Sequence, residues 1–260
     1  MDSELYRSFL NERSFFILSF FICGSIFGSF LNCLSMRIVN KEDFLRSRSH
    51  CDVCGHGLQV LDLIPILSYI VLKGRCRYCR HRLPPTYPLS EAVLGVVFVL
   101  TYLHYGKIKT DLFFDLNLFC IVYGLSLIDL RSYIIPDLFI LAGILNWLLR
   151  SLFTGLSLTR LLSASFLSLM IYALSLFLDR ATGKENLGGG DIKLIFLAGL
   201  HTGLIKGVLL LLFSSLFGLT GIGIGKNKKI PFGPYIGFAL FLVMNYGDVF
   251  LKVLEIPSIG

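Results

Sequence analysis

Charge is what this chain has least of. Only 16% of its 260 residues are Asp, Glu, Lys or Arg, where a soluble domain carries about 25%. That excludes an ordinary water-facing domain. With 55% hydrophobic residues and a mean hydropathy of +0.74, the chain reads as an integral membrane protein. A basic N-terminal region is also missing. Residues 1–14 carry Asp2, Glu4, Arg7, Glu12 and Arg13. The apolar run at 15–36 is longer than a signal-peptide core, so it is expected to stay as a first transmembrane helix. There is no internal repeat, no low-complexity tract and no soluble G-x-G-x-x-G cofactor fold. The net charge of +7 does not call for nucleic acid, because in such a chain it reflects loops on one side of a membrane.

What is present is a series of apolar runs, each near the 20 or so residues that cross a bilayer. The expected spans are 15–36, 89–106, 112–130, 134–152, 158–178, 191–205, 207–225 and 232–251, with the sixth short. The fold class is therefore an all-α polytopic membrane protein of about eight helices. Orientation follows the positive charge. The loop 37–82 holds Arg37, Lys41, Arg46, Arg48, Lys73, Arg75, Arg77, Arg80 and Arg82, which puts it in the cytoplasm and the N-terminus outside. Arg131, Arg180, Lys184, Lys193, Lys226, Lys228 and Lys229 fall on the same side. This topology brings the turns around Asp129 and Asp191 to one cytoplasmic face.

Three regions are expected: 1–36, the N-terminal segment and first helix; 37–88, a basic cytoplasmic loop; and 89–260, the main transmembrane bundle. The loop contains "LDLIPILSYIVL", too short to span, which belongs in the interface or against the bundle. It also holds two cysteine pairs, "CDVC" and "CRYC". Cys51, Cys54, Cys76 and Cys79 are spaced C-x2-C-x21-C-x2-C, one residue beyond the usual zinc range. Four thiolates on two tight turns suit a tetrahedral, closed and hence structural zinc site. Two disulfides are the rival reading, but they would need the loop on the oxidising side. His50, His56 and His81 beside the pairs read as surface residues or a substitute ligand. Cys23, Cys33 and Cys120 lie in apolar runs and read as small buried residues.

Two acidic groups stand at span ends. Asp129 closes the third span in "GLSLIDLRSYIIPD"; Asp191 opens the sixth in "LGGGDIK". A carboxylate near hydrocarbon is costly and marks a functional site by default. Two sharing a site do not readily both ionise, so one can accept a proton while the other donates one, as in aspartic proteases. The competing readings are local. Asp191 after three glycines is a good helix cap, the favoured reading of that residue alone, and Asp129 can pair with Arg131. Gly188, Gly189 and Gly190 would let an extended substrate strand approach closely. Pro136 at a first helical turn is ordinary, and Asp137 beside it has a supporting role.

Further blocks are "GSFLNCLSMR" at 28–37, "LDLIPILSY" followed by "KGRCRYC", and "YPLSEAVLG" at 87–95. With the cysteine pairs, "IDLRSYIIPD" and "GGGD", read as Gly188-x-Gly190-Asp191, they resemble the type IV prepilin leader peptidases, which are GxGD-type membrane enzymes. The first block departs by lacking the proline that often follows its arginine. The resemblance implies that a short basic leader is cut from prepilins or pseudopilins at the cytoplasmic face of a bacterial inner membrane. It implies that the new N-terminal amine is then methylated from S-adenosylmethionine. It carries Asp129 and Asp191 over as the protease dyad and the four cysteines as zinc ligands. Asn32, Asp62 and Glu91 become candidates for methyl transfer, against an equal reading as interhelical or interface hydrogen-bonding groups. Gly24 and Gly28 read as a helix-packing face. Prepilins and the lipid bilayer are the expected partners. Two rivals are a proton- or cation-coupled transporter, though "GLTGIGIGK" offers no second acid, and a zinc-bearing assembly scaffold.

Overall fold

The structure, a computed structural model, describes residues 3–42, 49–183, 187–222 and 230–255. Arg46, Arg48, Lys184, Lys226, Lys228 and Lys229, used above for orientation, lie outside them. The described residues are helical, with no strand: α1 Ser3–Asn40, α2 Leu67–Val71, α3 Thr86–Tyr105, α4 Thr110–Ser132, α5 Asp137–Thr154, α6 Leu158–Thr182, α7 Gly189–Ile222 and α8 Gly233–Val253, with a 3-10 turn at Val60–Asp62. All but α2 and the 3-10 turn are long and apolar enough to cross a membrane, and the chain is a multi-pass membrane protein. Contacts divide it into two compact units, Met1–Leu112 and Phe113–Gly260.

In the first unit α1 lies along α3. Phe15, Leu18, Ile22, Ile26 and Phe30 of α1 are exposed, the pattern of a lipid-facing side. Its other face is small. A Cβ at Gly24 would come within 2.6 Å of the Leu94 carbonyl oxygen, and one at Gly28 within 2.7 Å of the Ser90 carbonyl oxygen. The two glycines thus let the backbones meet, as expected of a small-x-x-x-small face, and Phe20 stacks on Tyr102 with centroids 4.7 Å apart. Gly28→Leu is expected to cost about 1–3 kcal/mol by forcing the helices apart and to lower the thermal midpoint in detergent. Gly57→Leu, where an added Cβ meets nothing within 4 Å, is expected to leave that midpoint unchanged.

The second unit holds α4 to α8 around Leu118, Leu125 and Ile128 of α4, Leu194 and Leu197 of α7, and Ile236 and Leu240 of α8, all buried. A straight helix as long as α7 would reach about 51 Å, yet both its ends lie at the same end of the unit. Its first turn shares a cavity with Asp129. Near its last turn, Gly221 packs on Tyr235 of α8, and the first residue of α8, Gly233, donates its N–H to Asp129. The chain reverses at Gly203, whose φ of 74° and ψ of −170° belong to a region only glycine occupies without strain. Beyond the reversal Lys206 pairs with Asp248 of α8 at 2.9 Å, so the second leg runs antiparallel to α8. The expected sixth and seventh spans are therefore the two legs of α7. At the reversal end, Asp115 of α4 and Arg150 of α5 form a partly buried ion pair of 2.6 Å, and Asn146 donates to the Phe114 carbonyl at 3.0 Å.

Candidate active site and metal centre

Asp129 sits in the last turn of α4, which stops at Ser132. The Tyr133 N–H closes on the Asp129 carbonyl at 2.8 Å with φ of 56°, a left-handed conformation that a non-glycine residue rarely holds. Pro136 cannot continue a helix outward from α4. It is extended, with φ of −69° and ψ of 131°, and is the residue before α5 rather than part of its first turn. Asp137 then begins α5, where the helix dipole favours an acid. The Asp129 side chain turns inward. The residue is only 4% exposed, and its Oδ2 accepts the Gly233 N–H at 2.8 Å.

Asp191 is the third residue of α7, not its cap. Its N–H bonds the Gly188 carbonyl at 3.0 Å, so Gly188 holds the cap position. The Asp191 carboxylate lies in the first turn, within electrostatic reach of Asp129. One cavity of about 500 Å³ is lined by Asp129, residues 133–137, residues 188–191 and Lys193. Across its rim Lys193 Nζ contacts Asp137 Oδ1 at 2.6 Å, with both side chains more than half exposed; such a pair adds little stability.

The three glycines are not equivalent. A Cβ at Gly190 would stand 2.9 Å from the Ile135 Cβ, one at Gly188 would make ordinary contact with Asp191 Oδ2 at 3.4 Å, and one at Gly189 would meet nothing. Sequence reading overlooked Gly233. A Cβ there would lie 2.8 Å from Asp129 Oδ2. Its only signal is a glycine between Phe232 and Pro234 at a helix start, which shows a turn but not what the turn faces. Lys193 and Tyr133 also line the cavity, and their sequence context carries no comparable signal.

The loop of the first unit builds its cysteines into two matching turns. In one, the Cys51 N–H bonds the His56 carbonyl at 3.0 Å and Gly55 turns back to Cys51 at 2.8 Å; in the other, Cys76 bonds His81 at 2.9 Å and Arg80 turns back to Cys76 at 3.1 Å. Gly55 and Arg80 occupy the same left-handed position, with φ of 67° and 59°. The four Sγ atoms of Cys51, Cys54, Cys76 and Cys79 lie within 4.8 Å of one another, and none is in a disulfide. Such a set can hold a metal ion, and four thiols suit zinc. Hydrogen bonding from the Cys79 amide, against some burial, draws the Cys76 thiol down to about 7. The His81 amide pulls Cys79 down, but burial and the neighbouring thiols outweigh it and push that thiol up to about 11. His50, His56 and His81 are not in the cluster; His56 instead packs its ring on Tyr78, with centroids 3.7 Å apart.

The remaining candidates have separate surroundings. Asn32 is buried in α1 at 1% exposure. Glu91, buried in α3, accepts the Ile66 N–H at 2.6 Å. Asp62 accepts from Arg77 Nε at 2.6 Å, Tyr78 Oη at 3.2 Å and the Gln59 N–H at 3.1 Å. Its burial works the other way, but these donors hold its carboxyl below the ordinary range.

Residues 22–105 match the family model described as the bacterial peptidase A24 N-terminal domain, and residues 116–223 match that of the type IV leader peptidase family. A prepilin leader peptidase/N-methyltransferase of Aeromonas salmonicida is 34% identical over 221 residues, covering 80% of this chain and 74% of the relative. One of Bacillus subtilis is 31% identical over 255 residues, covering 92% and 98%. One of Pseudomonas putida is 28% identical over 268 residues, covering 91% and 93%. No solved structure matches significantly.

Proposed function

This chain belongs to the type IV leader peptidase family, and from that membership and the cavity at the helix ends we propose that it cleaves the leader of prepilins or pseudopilins and methylates the new N-terminus. It is an aspartic endopeptidase with N-methyltransferase activity. The observation that carries the peptidase reading is the cavity itself. Asp129 and Asp191, on different helices and far apart in sequence, line one space beside exposed glycine backbone. The transporter reading gains no support, since the relatives above are all prepilin leader peptidase/N-methyltransferases.

In the proposed mechanism the two carboxylates share one proton. The charged member takes a proton from a water molecule as the water oxygen bonds to the scissile carbonyl carbon. The neutral member protonates the leaving nitrogen as the C–N bond breaks, and the dyad's proton is restored from the one taken. Gly233 fixes the Asp129 carboxylate through its N–H. The open backbone at Gly188 and Gly189 offers hydrogen-bonding groups to an extended leader, while Pro136 and Asp137 shape the facing wall. The site faces the cytoplasm of a bacterial inner membrane, a placement supported by the arginines and lysines of the cysteine loop together with Arg131 and Lys193. Zinc on the four cysteines is structural. S-adenosylmethionine would supply the methyl group in the N-terminal half, where Asn32, Asp62 and Glu91 are the candidate contacts.

The test is a cleavage assay in detergent with a prepilin peptide, read by mass spectrometry with and without S-adenosylmethionine. Cleavage in both conditions, with one added methyl group only when the donor is present, is expected. An intact peptide together with pH-dependent ion flux in proteoliposomes would sink the peptidase in favour of a transporter. In the same assay Gly233→Ala is expected to slow cleavage about 10²-fold, the cost of displacing a catalytic group by roughly an ångström. Gly190→Ala should also impair it through Ile135, and Gly189→Ala should leave the rate near wild type. Equal rates in all three would mean that this close packing does not position the dyad.

A further inference from the structure

Residues 60–71 present an unusual surface. Val60, Leu61, Leu63, Leu67, Ile70 and Val71 are 82%, 62%, 44%, 60%, 63% and 74% exposed, although they belong to the loop and not to a transmembrane helix. A continuous apolar patch of this kind is avoided where water is the solvent. The chain also holds it at a definite depth. Glu91 Oε2 bonds the Ile66 N–H at 2.6 Å and Tyr69 reaches the Leu83 carbonyl at 3.3 Å. Glu91 stands five residues into α3, about 7.5 Å along its axis. On the same helix Leu89 and Val93 are 61% and 40% exposed, so the tether holds Ile66 at a level where α3 already turns apolar side chains outward. Ile66 takes a φ of 61°, an outlier for a β-branched residue, and the buried Glu91 holds it there. Exposed basic residues follow at once: Lys73, Arg75, Arg80 and Arg82.

We propose that residues 60–71 form a monotopic membrane element of the cysteine loop, its apolar side chains lying among lipid acyl chains and the basic residues that follow lying against anionic head groups. The occupant of this surface is the bilayer itself. The positive charge adjacent to the patch complements an anionic leaflet. Elements of this type sink about 5–10 Å into the interface, a distance similar to the roughly 7.5 Å by which Glu91 lies along α3 from its first residue. The 3-10 turn and α2 together are too short to span, so the segment enters and leaves on one side.

The chain has one tryptophan, Trp147, which is buried. Val60→Trp and Val71→Trp therefore each add a reporter that can be read as a difference from the parent. The full-length variants are reconstituted in nanodiscs containing phosphatidylglycerol, with and without bromine near the carboxyl end of the acyl chains. The added emission is expected to be blue-shifted, largely quenched by the brominated lipid and little affected by aqueous iodide, at both positions. Water-like emission quenched by iodide would overturn the proposal. Protection from both quenchers that depends on the protein-to-lipid ratio would overturn it in favour of a second copy, and protection that appears only with added prepilin would overturn it in favour of substrate.

Discussion

Asp129→Asn and Asp191→Asn are each expected to abolish leader cleavage while leaving an inserted, folded protein. Asparagine has nearly the shape of aspartate, so the core around Leu125 and Ile128 of α4 is not repacked. At position 129 the amide oxygen can still accept the Gly233 N–H. What is lost is the ability to take up or release a proton at that atom. General acid–base groups contribute about 10²–10⁴-fold each, so either variant should fall by at least that factor. Because the two act as one unit, the double variant should be scarcely worse than either single one. The measurement is single-turnover cleavage of a prepilin peptide, paired with methylation of a peptide that already carries the mature N-terminus. Retained methylation shows that the first compact unit is inserted and intact, and an unchanged thermal midpoint in detergent certifies the fold of α4 to α8, which carry the two substitutions. Normal cleavage by either variant would sink the dyad and return Asp191 to a purely electrostatic role at the start of α7.

Removal of the metal is expected to have the largest effect on structure. Between residues 49 and 85 only Cys51, Gly74 and Cys76 are buried, so the loop has almost no hydrophobic core of its own. Few tethers such as Glu91 to Ile66 hold it, and a zinc ion on the four thiols would supply the order that a core cannot. Structural zinc contributes about 10–16 kcal/mol in small zinc modules, far more than those hydrogen bonds can replace. Cys76→Ser, or treatment with a strong chelator, should therefore remove one zinc per chain and collapse amide protection across both cysteine turns. Protection in α4 and α8 should be unchanged. Metal analysis with hydrogen exchange checks this. Full protection of the loop without zinc would show that the four thiols merely lie close together.

Much of this was legible in the sequence because the governing signals are local. Scarce charge and long apolar runs dictate membrane-spanning helices, since a backbone in hydrocarbon must satisfy its own hydrogen bonds. Paired C-x-x-C turns foretell a four-sulfur cluster, because each turn presents two thiols whatever surrounds it. The G-x-x-x-G at Gly24 and Gly28 announced a packing face, since only the missing Cβ atoms allow that approach. The blocks around Asp129 and Asp191 likewise pointed to one end of the bundle through the count of spans.

The tertiary structure alone decided which neighbour each group meets. That Gly233 faces the Asp129 carboxylate depends on the start of α8 arriving beside the end of α4, and no spacing in the sequence encodes it. Gly188, Gly189 and Gly190 read alike as letters and differ only because Ile135 stands over one of them. The two legs of α7 were readable as separate apolar runs, but their reversal rests on one backbone conformation at Gly203, and their closeness to α8 rests on packing. Asp62 and Glu91 read in the sequence equally as methyl-transfer candidates and as hydrogen-bonding groups, and only the fold supplies the partners they accept from, Arg77 and the Ile66 N–H. Composition and periodicity are properties of single segments and survive in the unfolded chain, whereas a site made from the ends of three helices exists only once those helices are packed.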